Sequence, residues 1–105
     1  MTDAGKIFEW DERKRRSNLR KHRLDFARCA TVFAGLVMTE ADSRCDYGEL
    51  RFFTIGVLDE RVVSVVHTES EQFIRVISFR KATKSEQARY FKTIEDGLAA
   101  CRRDS

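Results

Sequence analysis

Residues 49 to 79 read almost wholly as strand, and this stretch constrains the fold more than any other part of the chain. Residues 49–58 (ELRFFTIGVL), 61–68 (RVVSVVHT) and 73–79 (FIRVISF) are rich in β-branched and aromatic side chains, which suit a pleated, packed surface. Only Asp59-Glu60 separates the first two, and a short polar run separates the second from the third. Connections this short join antiparallel neighbours, because a parallel crossover needs a dozen or more residues. The strand centres are apolar on both faces, so the sheet is expected to be covered on both sides.

Before this block, Ile7-Phe8-Glu9-Trp10 reads as a short strand, and Asp11 is a natural N-cap for a helix running to about Arg23, with Glu12 favourable in its first turn. Asp11 with Arg15, and Glu12 with Arg16, have the spacing of helical ion pairs. A second helix is expected from Asp25, with Phe26, Ala30 and Phe33 on one face and a stop at Gly35. Residues 37–44 give a weak further strand. After the strands, Thr83-Lys84-Ser85-Glu86 is a capping box, and Phe91, Ile94, Leu98 and Cys101 form an apolar stripe on the helix that follows. The order β-α-α-β-β-β-β-α predicts an α+β fold: a small antiparallel sheet with two N-terminal helices and a C-terminal helix.

At 105 residues the chain is expected to form one domain over 1–105, burying roughly two-thirds of its unfolded surface. No apolar run reaches the roughly 20 residues of a membrane span, and the N-terminus lacks a signal-peptide core, so a cytoplasmic protein is expected. Cys29, Cys45 and Cys101 are odd in number and lack Cys-x-x-Cys spacing, which speaks against a disulfide framework or a zinc site and for buried, inert thiols. No metal and no cofactor is expected. Formal net charge is only +3, yet Arg13, Lys14, Arg15, Arg16, Arg20, Lys21 and Arg23 crowd one segment, while Glu40, Asp42, Asp46 and Glu49 reverse the balance further on. A local basic cluster in a modest total suits a docking surface for an anion, either RNA or an acidic partner.

On the first helix, Trp10, Asp11, Lys14, Asn18, Lys21 and His22 fall within an arc of about 120°, with Arg13, Arg16, Arg20 and Arg23 in a stripe beside it. That stripe is either a solvated face or a contact surface. His22 is either a buried, hydrogen-bonded histidine or a catalytic one. With Asp59-Glu60 as the turn, Arg51 lies opposite His67 or Thr68; with a turn near Ser70 and Glu71, Arg80 lies beside Arg61. Two polar clusters then sit about 20 Å apart along the strands. One holds Glu49, Arg51 and His67, the other Arg61, Arg80 and Lys81 with Glu86 and Tyr90 nearby.

Phe8-Glu9-Trp10-Asp11-Glu12, Lys14, Asn18, Lys21-His22 and Phe26 resemble the opening motif of the BrnT toxin family, close to W-D-E-x-K-x-x-x-N-x-x-K-H-x-x-x-F. The likeness continues through Gly48-Glu49-x-Arg51, Ile55-Gly56, Val65-Val66-His67-Thr68 and Ile74-Arg75-Val76-Ile77-Ser78-x-Arg80-Lys81-Ala82, and ends at Glu86 and Tyr90. It implies a RelE-like fold, a ribonuclease that inhibits translation, and a BrnA-like antitoxin partner that binds operator DNA. Two departures stand out. Arg23 replaces the glycine usual after Lys-His, which is expected to alter the turn between the helices. Ser70 replaces a basic residue common two positions after the matching threonine.

RNA cleavage without metal requires a base for the ribose 2′-proton, an acid for the leaving oxygen, and fixed positive charge on the phosphoryl oxygens. The resemblance implies a catalytic set at the end of the final strand. Arg80, Arg61 and Lys81 can supply charge, and Glu86, Tyr90 or His22 can move protons. Lysine beside arginine offers a further proton carrier through a lowered pKa. Lys14, Lys21, Arg51, His67 and Arg75 are the implied RNA contacts, with the ribosome as a possible setting. Each has a plainer use: Glu86 can serve only the capping box, Tyr90 the core, Arg61 the turn, and His67 a strand end or an antitoxin contact. The competing reading is a non-catalytic module that acts as antitoxin partner and corepressor. A third is a single-strand RNA binder that stacks bases on Phe52, Phe53, Phe73 and Phe79.

Overall fold

A computed structural model describes residues 5–42 and 49–103, with side chains described as far as Gly97. Its elements are β1 (Ile7–Trp10), α1 (Glu12–His22), a 3₁₀ turn (Phe26–Arg28), α2 (Cys29–Phe33), β2 (Met38–Ala41), β3 (Phe52–Leu58), β4 (Arg61–Glu69), β5 (Phe73–Lys81) and α3 (Lys84–Arg103). The class is α+β, as expected. Cys45, Asp46 and Gly48, and the side chains of Leu98 and Cys101, lie outside the described residues.

The five strands form one sheet in the order β1-β5-β4-β3-β2. The meander β2 to β5 is antiparallel, but β1 pairs parallel with β5, Ile7 against Phe73 and Trp10 against Val76, so the sheet is mixed rather than antiparallel throughout. The expected second helix is also shorter: Asp25 caps a 3₁₀ turn through Ala27 N, and α2 adds only five residues before Gly35.

Both faces of the sheet are covered. Phe26, Val32 and Phe33 pack with Val63, Val65, Ile74, Val76 and Phe79 on one face; Tyr90 of α3 packs with Phe53, Ile55, Val66 and Ala82 on the other. Gly56 lets α2 approach β3, since a Cβ there would lie 2.7 Å from Val32 Cγ1. Cys29 is buried in the first cluster, and burial pushes its thiol pKa well up, the expected inert state. The proposed base-stacking surface does not form. Phe53 and Phe79 are core, Phe52 stacks on His67, and of the four only Phe73 is exposed.

Asp11 caps α1 by accepting from Arg13 N and Lys14 N, so its carboxylate serves the backbone rather than Arg15. Arg15 instead bridges Glu12 at 2.6 Å and Asp25 at 3.0 Å, tying α1 to the turn that follows. Arg16 approaches Glu12 only at 4.0 Å.

Candidate active site

β1 ends opposite Val76, five residues before β5 does, so the outer edge of β5 would be bare beyond that point. Asn18 of α1 covers it. Its amide accepts from Phe79 N at 3.1 Å and donates to Phe79 O at 2.7 Å, doing for that residue what a neighbouring strand would do. The same Nδ2 donates to Leu24 O at 2.9 Å, which holds the chain leaving α1. The arc predicted from helical spacing therefore faces β5. Lys14, Lys21 and His22 flank buried Asn18 along a hollow of about 270 Å³ floored by Ile77 and Ser78.

At the end of α1, Arg23 takes the left-handed conformation, φ 59° and ψ 26°, and its N–H bonds to Leu19 O. This is the geometry of a glycine C-cap carried by an arginine. The turn closes normally, and Arg23 departs from the exposed stripe of Arg13, Arg16 and Arg20 to face the end of the sheet. There it joins Lys21, His22, Arg80, Lys81 and Thr83 around a second hollow, of about 510 Å³. A third hollow, about 360 Å³, lies between His22, Arg23, Arg61 and Lys81 over an apolar floor, and a fourth, about 350 Å³, runs from Arg61 and Lys81 toward α3. His22 is exposed, contrary to the buried alternative, and lines three of the four hollows; Lys81 also lines three.

Arg80 does not lie beside Arg61. It stands opposite Ser64, because the β4–β5 turn closes Ser70 onto Phe73 and a bulge between Val66 and His67 moves the register further. Arg80 and Lys81, adjacent at the strand end, alternate in direction, and the hollows wrap around the edge of β5 to reach both. Arg80 forms a fork with Glu86, two contacts of 2.9 Å, and Glu86 also accepts from Thr83 N at 2.8 Å. The capping box expected for Glu86 is formed, and the same carboxylate pairs with Arg80. The Arg80 guanidinium holds the Glu86 carboxyl below its ordinary pKa, with the Thr83 amide adding to the effect and desolvation opposing it. Such a carboxylate is a weak base and a positioning group for Arg80.

Tyr90 is not brought to this site. Its ring is core and its hydroxyl donates to Leu36 O at 2.8 Å, while burial raises its pKa. His67 is not an RNA contact either, since it is fully buried, with Nε2 2.7 Å from Thr54 Oγ1 and Phe33 and Phe52 against its ring. Arg51 beside Glu49 lies near that same far end, and Arg75, close to Glu9, stands five residues from Arg80 along β5. Ser70 turns β4 into β5 by accepting from Phe73 N, also far from the clustered cations. Sequence reasoning missed two contributors, the edge-pairing amide of Asn18 and the side chain of Arg23. The first could have been found from a polar residue in the centre of the arc that faces the sheet. Among the described residues, no group of three His, Cys, Asp or Glu side chains converges as metal ligands.

What fold and site together define is a small α+β protein with a histidine and several fixed cations gathered around open hollows at one end of its sheet, a site suited to a polyanion. Residues 10–86 match the family described as ribonuclease toxin, BrnT, of type II toxin-antitoxin system, and the chain belongs to that family. Membership makes it a ribonuclease toxin with an antitoxin partner and an RNA substrate. No curated protein matches the chain. Among the described residues no helix is long and apolar enough to cross a membrane.

Proposed function

We propose that the protein is a metal-independent endoribonuclease, acting in the cytoplasm to inhibit translation and neutralised by a BrnA-like antitoxin that carries the operator-binding function. The observation that carries this reading is the junction of hollows around His22 and Lys81, with Arg61, Arg80 and Lys21 on their walls. With Tyr90 in the core and Glu86 engaged by Arg80, His22 and Lys81 remain as proton carriers. His22 takes the ribose 2′-proton; the 2′-oxygen bonds to phosphorus; the P–O5′ bond breaks, and the Lys81 ammonium gives its proton to the departing oxygen. Arg61 and Arg80 neutralise the phosphoryl oxygens as charge builds on them. The products are a 2′,3′-cyclic phosphate and a 5′-hydroxyl. Lys14 and Arg75 extend the cationic track for the flanking strand. Because Ser70 lies remote from this group, its missing charge leaves the cutting end intact.

The test is to incubate the purified free protein with RNA in the presence of EDTA. Cleavage that persists with chelator, leaves cyclic phosphate ends and falls at least a hundredfold in both His22→Ala and Arg80→Ala is the expected result, in keeping with the usual contributions of a proton-transfer residue and of a group that stabilises transition-state charge. A folded sample that cuts nothing would favour the corepressor module instead.

A further inference from the structure

The hollow of about 360 Å³ between α1 and the β3–β4 hairpin has a floor formed by Leu24, Leu58 and Val63 and takes in both His22 and Arg23 from the end of α1. Leu58 and Val63 belong to the buried core, so the floor is backed by packed side chains and is fixed in shape. Around this apolar base stand His22, Arg23, Arg61 and Lys81, and Asp59 is the one carboxylate on the wall among the described residues. That carboxylate contacts Arg28 at 3.2 Å on the outside of the hairpin. An apolar floor under a cationic rim suits a ligand with a flat, weakly polar body and an anionic tail. The volume lies at the low end of small-ligand sites, enough for one nucleotide and too little for an oligonucleotide.

We infer that this hollow is a nucleotide subsite: it takes the base of the nucleotide next to the scissile phosphate against Leu24, Leu58 and Val63, and Arg23 grips that nucleotide's phosphate. The inference rests on the nuclease reading for its place in the reaction, and it adds Arg23 as a binding residue. Arg23 sits where a left-handed backbone would be more easily adopted by glycine. A residue that bears a local conformational cost and turns its charge into a hollow is placed there by its side chain rather than by the turn.

Because backbone conformation favours glycine at this position, Arg23→Gly removes the cation without endangering the fold. The experiment titrates adenosine 3′-monophosphate, adenosine and inorganic phosphate separately into the full chain and follows the methyl resonances of Leu24, Leu58 and Val63. Adenosine 3′-monophosphate is expected to move these methyls saturably, adenosine to move them more weakly, and Arg23→Gly to weaken the nucleotide about tenfold, as for loss of one hydrogen bond to a charged group. The subsite is overturned if inorganic phosphate alone shifts the same methyls equally, if the shifts fall instead on the Ile77 methyls, or if Arg23→Gly binds as tightly as the parent. Binding is read without turnover, so the two readings fail separately. Intact cleavage with unmoved methyls sinks the subsite alone, whereas moved methyls in a protein that cuts nothing sink the nuclease reading and leave the subsite.

Discussion

Asn18 makes three hydrogen bonds to backbone groups, and two of them complete the pairing of Phe79 in the middle of the uncovered edge of β5. Removing the amide would leave the Phe79 N–H and carbonyl without partners in a closed environment. Each buried orphan costs about 1–3 kcal/mol, so Asn18→Ala is expected to lower unfolding stability by roughly 2–4 kcal/mol in urea titration, with the slope of the transition unchanged. A midpoint equal to that of the parent would show that the edge pairing contributes nothing. A second residue-scale prediction concerns acid. The folded state holds Glu86 below its ordinary pKa of 4.5, chiefly through Arg80. A depressed carboxyl stabilises the fold above the unfolded-state pKa and loses that contribution as pH falls through the folded-state value. The stability gap between the parent and Glu86→Gln should therefore be widest above about pH 5 and close progressively below it. A gap that grows with acid would contradict the pairing. Neither role was fully legible in the sequence. The capping box announced Glu86 through its spacing to Thr83, whereas its fork with Arg80 depends on how β5 meets α3 in space.

The β3–β4 hairpin turns through Asp59 and Glu60, with φ of 51° and 68°. Both central residues thus lie in the left-handed region of a type I′ turn, whose twist suits paired strands but whose backbone favours Asn-Gly or Asp-Gly. A non-glycine residue there costs about 1–2 kcal/mol, against which glycine's extra freedom when unfolded costs about 0.5–1 kcal/mol. Glu60→Gly should therefore stabilise the protein by about 0.5–1 kcal/mol, seen as a higher melting temperature; a lower one would mean that the Glu60 side chain matters more than its backbone. This hairpin was readable because its two residues sit between strongly patterned segments. The parallel pairing of β1 was not, since short connections constrain only neighbours in sequence and β1 meets a strand more than 60 residues away. The register of β5 was misjudged for a related reason. A bulge leaves no mark on the alternation of FIRVISF, yet it helps carry Arg80 from Arg61 to Ser64. The end of the sheet that gathers the cations was nevertheless foreseen correctly for Arg61 and Lys81, because strand direction alone places them there.

Across the molecule, coverage decides what the charges can do. Helix α3 packs on β2 and β3, where Arg89 pairs with Glu40, so this helix leaves the edge of β5 and the inner side of α1 open. Along that opening run Lys14, Lys21, Arg23, Arg61 and Lys81, while Arg13, Arg16 and Arg20 stand exposed on the outer stripe of α1. Both sets add to the net charge, but only the first lines the shared hollows, the surface proposed for the RNA strand. Counterion release separates them, since each phosphate neutralised on a single strand contributes about −0.7 to the slope of log affinity against log salt. With Arg80 already paired to Glu86 and Arg75 close to Glu9, the other five cations predict a slope of about −3 to −4 for an RNA whose 2′-hydroxyls are methylated to prevent cleavage. Lys21→Ala should make that slope shallower by about 0.7, and Arg20→Ala, one position earlier on the helix but facing outward, should leave it unchanged. Equal losses from the two variants would mean that RNA senses only the overall positive charge of the helix. Unequal losses in the predicted order would locate the strand in the groove between α1 and β5, where His22 can reach its ribose.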